Sequence, residues 1–547
     1  MDPNDLNRYG VYQIYPISFQ DSNHDGKGDL RGILSRLDYL KSIGVHTIWL
    51  SPIYASPMTD MGYDISDYKA INPMFGTMDD FDALMAETKK RGMNVLMDLV
   101  INHTSDQHPW FQEALKNPDS KYRDFYYFRR GVKGSYPNNW TSSFTGPAWT
   151  KVPKEKDLYY LHIFGEHQPD LNFHSETLIQ EIESILRFWL EKGVAGFRCD
   201  VISCIYKESL EDGKRHLPGT PVGSEHYIAT EGCHRILQRF RKDVLDSYHA
   251  VLIGECLGAT IENIPPFLAN HELDTFFSFE HANLNQKKAK ELCSYSAFRK
   301  VILKWQTQVV NNGVYLENHD QHRSINKYLV PGYEKIGAKM LLTMIYTLKG
   351  VPFAFEGEEI GAVDYPKGSF GVQDSKDIVT TSVFKLATQK YHMPKPTAEI
   401  LALHFGRDSS RAPMAFNGNE GHGFTDNSVT PWQKFNPTSD SINVENEEGD
   451  SDSVLTFYRK IVSMHQELEP LWRGEIRFVE SKKKILGYTR TYNGKSLLVL
   501  LNLTPSTVKV RKVLRDFELT SLLLDNYDIL GPSDRMRPYE AKILELK

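Results

Sequence analysis

A chain of 547 residues can bury more than one core, and the length allows about three or four domains, one of them a large barrel. A formal charge of −6 leaves no basic excess to hold a polyphosphate backbone, which argues against nucleic acid as a partner. No uninterrupted apolar run approaches the roughly 18 residues needed to span a bilayer, and the longest candidate, around Lys339 to Phe355, is broken by Thr343, Thr347 and Lys349. The polar opening MDPNDLNRYG shows no secretory signal. Cysteines at 199, 204, 233, 256 and 293 are odd in number and lack metal-ligand spacing, as expected of small buried hydrophobes in a reduced cytoplasm. A cytoplasmic monomer without membrane partners is the expectation.

Eight short β-rich runs follow in order: VYQIYP, TIWLSP, NVLMDLV, GFRCDVI, AVLIGE, TFFSF, VYLENHD and VPFAFEGEE. Helical patterns fill the gaps, among them LRGILSRLDYLKSIG and ETLIQEIESILRFWLEKG, the latter closing on Lys192 and Gly193 as a helix C-terminus should. This alternation predicts an α/β fold, a (β/α)8 TIM barrel built from 1–103 and 173–472. Two gaps exceed one helix. Residues 104–172 cluster Gly, Pro, Asn and aromatics and read as an inserted subdomain overhanging the barrel mouth. A polar stretch of about 361–450, with Trp432 and Phe435 embedded, reads as a roof over the same mouth. From 473 to 547 the runs IRFVES, ILGYTRTY, SLLVLLNL and TVKVR, with Asn493-Gly494 as a hairpin turn, predict a C-terminal antiparallel β-sandwich domain.

The chemistry concentrates at strand ends. GFRCDVIS puts Arg198 and Asp200 on alternate residues of a buried strand, so both side chains point the same way. Glu255 ends VLIGE and Asp320 ends YLENHD, so three carboxylates close three apolar runs, as in a barrel active site. Two carboxylates can cleave a glycosidic bond, one as nucleophile or base and one as acid. Asp200 beside Arg198 is expected to stay ionised. Glu255, between AVLIG and Cys256-Leu257, is expected to be a desolvated acid.

DLVINHT (Asp98 to Thr104), QPDLN (Gln168 to Asn172), GFRCDVIS, the Gly254-Glu255 strand end and ENHD (Glu317 to Asp320) resemble, in order and spacing, the signature regions of the α-amylase superfamily, glycoside hydrolase family 13. The likeness covers nearly the whole chain, and QPDLN resembles the oligo-1,6-glucosidase and α-glucosidase branch. It implies a retaining hydrolase in which Asp200 is the nucleophile, Glu255 the general acid/base and Asp320 the acid gripping the sugar hydroxyls. The two carboxyls of the first pair are then expected about 5 to 5.5 Å apart. His103 and His319 are implied to hydrogen-bond the same sugar, Arg198 to orient the nucleophile, and Asp98 to support it. GYDISDY resembles the pocket-closing loop, with Tyr63 as stacking platform and Asp64 gripping the non-reducing glucose. Arg411 resembles the partner of Asp64, a clamp that implies exo action. Val201, after the nucleophile, resembles the α-1,6-preferring type, where relatives preferring α-1,4 links tend to carry alanine.

The loop DSNHDGKGD offers oxygens at alternating positions, from Asp21, Asn23, Asp25, the Lys27 carbonyl and Asp29. Gly32 replaces the closing glutamate of an EF-hand. Relatives in this branch commonly bind Ca²⁺ here, which implies a structural ion and no cofactor for catalysis. The chain departs from the family pattern at Ile17, often arginine, at His322, often proline, and at Ala415-Phe416, usually Gln-Trp. These places are expected near the substrate mouth.

The resulting expectation is an exo-α-glucosidase on short α-1,6-linked oligosaccharides such as isomaltose. Maltose, sucrose and trehalose 6-phosphate are rival substrates. A sucrose isomerase is a further rival, although its Arg-rich loop after ENHD is not matched by SINKYL, Ser324 to Leu329. An inactive barrel acting as a binding subunit is the rival of another class.

Overall fold

The computed structural model describes residues 3–214, 220–284, 293–528 and 534–547. All eight apolar runs form strands: β1 (Val11–Ile14), β2 (Thr47–Leu50), β3 (Asn94–Leu99), β4 (Gly196–Cys199), β5 (Val251–Glu255), β6 (Thr275–Phe277), β7 (Gly313–Val314) and β8 (Val351–Phe355). They make one sheet in the order β6-β5-β4-β3-β2-β1-β8-β7, the cyclic chain order of a (β/α)8 barrel. Every strand is buried along its length apart from Asn94, which suits a parallel sheet covered on both faces. A helix follows each strand, from Leu30–Ser35 after β1 to Val454–Glu467 after β8.

Two compact units divide the chain. The first holds Trp49–Ala86 and Asn94–Ser278, the second Asp2–Ile48, Glu87–Met93 and Phe279–Lys547. In the first, β3, β4, β5 and β6 pair in parallel, with Asp98 opposite Arg198 and Arg198 opposite Ile253. Gly196 opens β4 at φ +155°, and a Cβ there would meet the Val251 carbonyl oxygen at 2.1 Å, so only glycine lets the strands approach. The helix Glu176–Glu191 runs as its pattern predicts, capped by Ser175 and ended by Lys192 and Gly193 at φ +93°. The inserted stretch folds a three-stranded sheet, Phe128–Arg130, Leu158–Leu161 and Trp149–Lys151. Its Trp149, Trp140 and Ile163 pack in one cluster with Val201 and Cys204.

In the second unit β7, β8 and β1 pair in parallel. The expected single helix after β1 is two, Leu30–Ser35 and Leu37–Ser42, because Arg36 leaves helical geometry at φ −103°, ψ 7°. β7 is only two residues long, so Asp320 lies not at a strand end but in the turn beyond it, where its N–H donates to Asn318 Oδ1 at 2.9 Å. The C-terminal stretch forms a five-stranded antiparallel sheet from Glu475–Phe478 to Ala541–Leu546. Asn493 and Gly494, at φ +48° and +78°, make its hairpin turn. Leu498, Leu500, Ile485 and Met536 bury its inner face.

Candidate active site

The first unit assembles its charges around one guanidinium. Strand register puts Asp98 beside Arg198, and the period of two brings Asp200 and Glu255 one row further along the same face. Arg198 Nη1 donates to Asp98 Oδ1 at 2.8 Å and to Asp200 Oδ1 at 2.7 Å, and Nη2 donates to Glu255 Oε2. Trp49 Nε1 and Tyr63 Oη each donate to Asp98 Oδ2 at 3.1 Å. One guanidinium faces three buried carboxylates, and burial pushes Asp98 up to about 7 against the pull of Arg198. Arg198 itself is held well above its ordinary value: burial works against its charge, and Asp98 and Glu255 outweigh it.

The neighbourhood of Glu255 differs from the expected apolar pocket. Its carboxylate meets Arg198 and lies 3.4 Å from the N–H of Val201, because the residue after a strand pair's last row still faces inward. Val201 differs too. It is no strand residue: β4 ends at Cys199, and Val201 sits at φ +36°, ψ +38°, a left-handed conformation that a β-branched side chain rarely adopts. The backbone therefore turns sharply next to Asp200. The chain could show a valine after the aspartate but not this twist.

His103, Gln168 and Asp64 are buried in the same unit. His103 lies with Nε2 3.1 Å from both the Tyr63 carbonyl oxygen and Gln168 Nε2. Gln168 also donates to Asp60 Oδ2 at 3.2 Å. Asp64 is fully buried, its carboxylate accepting from Ser56 Oγ and the N–H groups of Thr59 and Asp60. Sequence reasoning missed Lys207, whose Nζ is buried between Asp170 Oδ2 at 2.6 Å and Asn102 Oδ1 at 2.8 Å. Asp170 stands inside QPDLN, so the motif contributes an ion pair as well as Gln168.

The second unit holds its own cluster. Asp320 Oδ1 accepts from Arg407 Nη1 at 3.1 Å and Arg411 Nη2 at 2.8 Å. Arg411 also donates to the His319 carbonyl oxygen at 2.8 Å, and its buried Nη1 has no hydrogen-bond partner among the described residues. His319 Nε2 faces Asp320 Oδ2 at 3.3 Å, an acceptor, so Nε2 carries the proton and Nδ1 accepts from Gln13 Nε2 at 2.7 Å. Gln13 and Arg407 fall outside the sequence motifs. Gln13 is the one polar residue inside the first apolar run, and that was its signal. Arg407 is anchored by Asp377 Oδ1, 2.9 Å from its Nε and 2.6 Å from its Nη2. Burial works to raise the Asp377 carboxyl, but Arg407 and Arg411 outweigh it and bring it down to about 2.

Phe416 is buried under the Arg36 guanidinium at 3.7 Å, edge-on to Phe19 and Tyr39, and Ile17 is buried in the short helix Pro16–Phe19.

The 21–29 loop closes on itself. Asp21 Oδ1 accepts the N–H groups of Asn23 and His24, and its Oδ2 accepts from Gly26 N–H and Thr425 Oγ1. Asp29 Oδ1 accepts from Ser22 Oγ and Gly32 N–H, which caps the helix Leu30–Ser35. Asp25 and Asn23 each accept a loop N–H. Among the described residues no three His, Cys, Asp or Glu side chains converge as a metal cage; the loop's other expected donors are the Asn23 side chain and the Lys27 carbonyl. Gly32 is required for packing: a Cβ would meet the Gln20 carbonyl oxygen at 1.9 Å.

Among the described residues no helix is long and apolar enough to cross a membrane. Residues 13–474 match the family model described as alpha amylase, catalytic domain. The chain is 39 % identical to an oligo-1,6-glucosidase of Bacillus cereus over 98 % of each chain. Of the solved structures, the trehalulose synthase of Pseudomonas mesoacidophila MX-45 is 35 % identical with a TM-score of 0.90, covering 99 % of each chain. A trehalose-6-phosphate hydrolase of Bacillus licheniformis is 33 % identical with a TM-score of 0.91, again over 99 % of each chain.

Proposed function

Because the chain belongs to the α-amylase family, we propose that it is a retaining, exo-acting α-glucosidase releasing glucose from the non-reducing end of short α-1,6-linked oligosaccharides. The observation that carries the reading is Arg198 spanning Asp200 and Glu255 at the ends of neighbouring strands. Asp200 attacks the anomeric carbon while Glu255 protonates the departing oxygen. Arg198 holds the attacking carboxylate in place, and as Asp200 forms its ester and loses charge, the guanidinium remains paired with Asp98 and Glu255. Water then attacks the glucosyl-enzyme, Glu255 takes its proton, and the configuration is retained.

The family resemblance assigns sugar-binding roles to His103, Gln168, Tyr63 and Asp64 in the first unit and to His319, Asp320 and Arg411 in the second. Arg407 joins them because it shares the Asp320 carboxylate with Arg411. Val201 is assigned to linkage preference, since its left-handed backbone fixes where the side chain stands beside the leaving group. Ca²⁺ at the 21–29 loop is proposed as a structural ion only, for which the oxygens of Asn23 and Asp25 would have to turn inward. Cytoplasmic location and a monomeric state complete the proposal.

The test is kcat/KM on isomaltose, maltose, sucrose and trehalose 6-phosphate, with Asp200→Asn as the blank. Isomaltose leading by about tenfold, near 1.4 kcal/mol of transition-state discrimination, supports the linkage assignment. Maltose or another glucoside leading keeps the hydrolase and overturns the linkage. Product transfer to fructose instead of water would support the isomerase rival.

A further inference from the structure

His322 stands two residues after Asp320, where the family pattern often has proline, and its ring is fully engaged. Nδ1 lies 2.7 Å from Asp364 Oδ2, and Nε2 lies 3.0 Å from the backbone carbonyl oxygen of His404. Both neighbours accept hydrogen bonds. Neutral imidazole has one N–H, so only the imidazolium satisfies both. Asp364 is itself fixed, its Oδ1 accepting the Arg323 N–H at 2.9 Å and its own N–H donating to Asn326 Oδ1 at 2.7 Å.

The contact at His404 has a consequence three residues on, at Arg407. The segment of 404–411 returns to the Asp320 loop twice: through Arg407 and Arg411 on the Asp320 carboxylate, and through the His404 carbonyl on His322. We propose that His322, as an imidazolium, is a positioning residue for Asp320, holding the 404–411 segment so that both guanidiniums stay on that carboxylate. Its ring offers no free nitrogen to a sugar, so it acts through its neighbours.

The charges around it set the pH range. Burial works against the imidazolium, but the Asp364 carboxylate and the His404 carbonyl outweigh burial and the opposing Lys327 charge, holding the ring above its ordinary value of 6.5. The His404 ring stands 6.4 Å away, and the Arg323 guanidinium is directed to Glu317. As pH rises through this raised pKa, above 6.5, the proton leaves, one of the two bonds is lost, and the segment loosens on the alkaline side.

This inference rests on the glucosidase reading for its kinetic arm only. The first arm needs no substrate: the full-length protein labelled with ¹³C at histidine Cε1 is titrated by NMR alongside His322→Gln and Asp364→Asn. One resonance titrating above the ordinary histidine range, absent from His322→Gln and shifted to lower pH in Asp364→Asn, is expected. The second arm is the pH profile of kcat on isomaltose, in which Asp364→Asn brings the alkaline fall to lower pH by the same interval while KM changes less than kcat. A His322 resonance that is neutral at pH 6, or alkaline limbs that coincide in native enzyme and Asp364→Asn, would overturn the proposal. Because Asp364→Asn keeps every side-chain volume, it serves if His322→Gln fails to fold.

Discussion

Arg198 Nη1 stands 2.7 Å from Oδ1 of Asp200, two residues along the same chain segment, and both side chains are buried. Lysine in place of Arg198 keeps the charge but loses the fork that reaches three carboxylates at once. We expect Arg198→Lys to lower kcat by about 10²-fold, the scale of a misplaced reacting group, with KM changed less than threefold, as steady-state kinetics on isomaltose would read.

Val201 tests how strain and specificity separate. Its left-handed backbone costs about 1–2 kcal/mol for a branched residue, and alanine would relieve part of that while giving up about 1.5 kcal/mol of buried methyl surface. The two nearly cancel, so Val201→Ala is expected to melt within a few degrees of the native protein. The ratio of kcat/KM for isomaltose over maltose should nevertheless fall by about tenfold, as one or two methyl groups in a pocket allow. An unchanged ratio would remove Val201 from the linkage assignment.

Lys207 and Asp170 form a buried pair at 2.6 Å. Removing one partner leaves the other charge uncompensated, at about 3–5 kcal/mol. Lys207→Met is expected to lower the melting temperature markedly, and Lys207→Met with Asp170→Asn to recover more than half of the loss. A loss in the double variant equal to the sum of the losses in Lys207→Met and Asp170→Asn alone would show that the pair is not coupled.

Much of this site is legible in the chain, and the misses share a cause. Asp200, Glu255, His103 and Gln168 fall in contiguous motifs on short strands or beside them, where a period of two fixes direction. Asp320 ends an apolar run yet lies beyond the strand, because such a run does not reveal that β7 stops after Val314. Lys207, Arg407 and Asp377 act through partners that folding brings close, such as Asp377 thirty residues before Arg407. Phe416 shows another limit: that an unusual residue in a site motif also fills core space beneath Arg36 is visible only in the fold.

Asp377 gives the account a pH dependence. Its carboxyl is held at about 2, below the ordinary 3.8, so it stabilises the fold above about pH 4, and that contribution is lost as pH falls toward 2. The span corresponds to about 2 kcal/mol. Asp377→Asn is expected to lower the melting temperature at pH 6, with the gap from the native protein closing as pH falls from about 4 to about 2. A gap that stays constant across that range would mean the carboxylate charge is not what holds Arg407.

The most direct measurement is to trap the glucosyl-enzyme with a slow 5-fluoro-α-glucosyl fluoride and map the adduct by mass spectrometry of peptic fragments. One fluoroglucosyl group per chain is expected, esterified to Asp200, with none formed in Asp200→Asn. An adduct on Glu255 or Asp320, or turnover of the reagent by direct water attack with inverted product and no adduct, would contradict it.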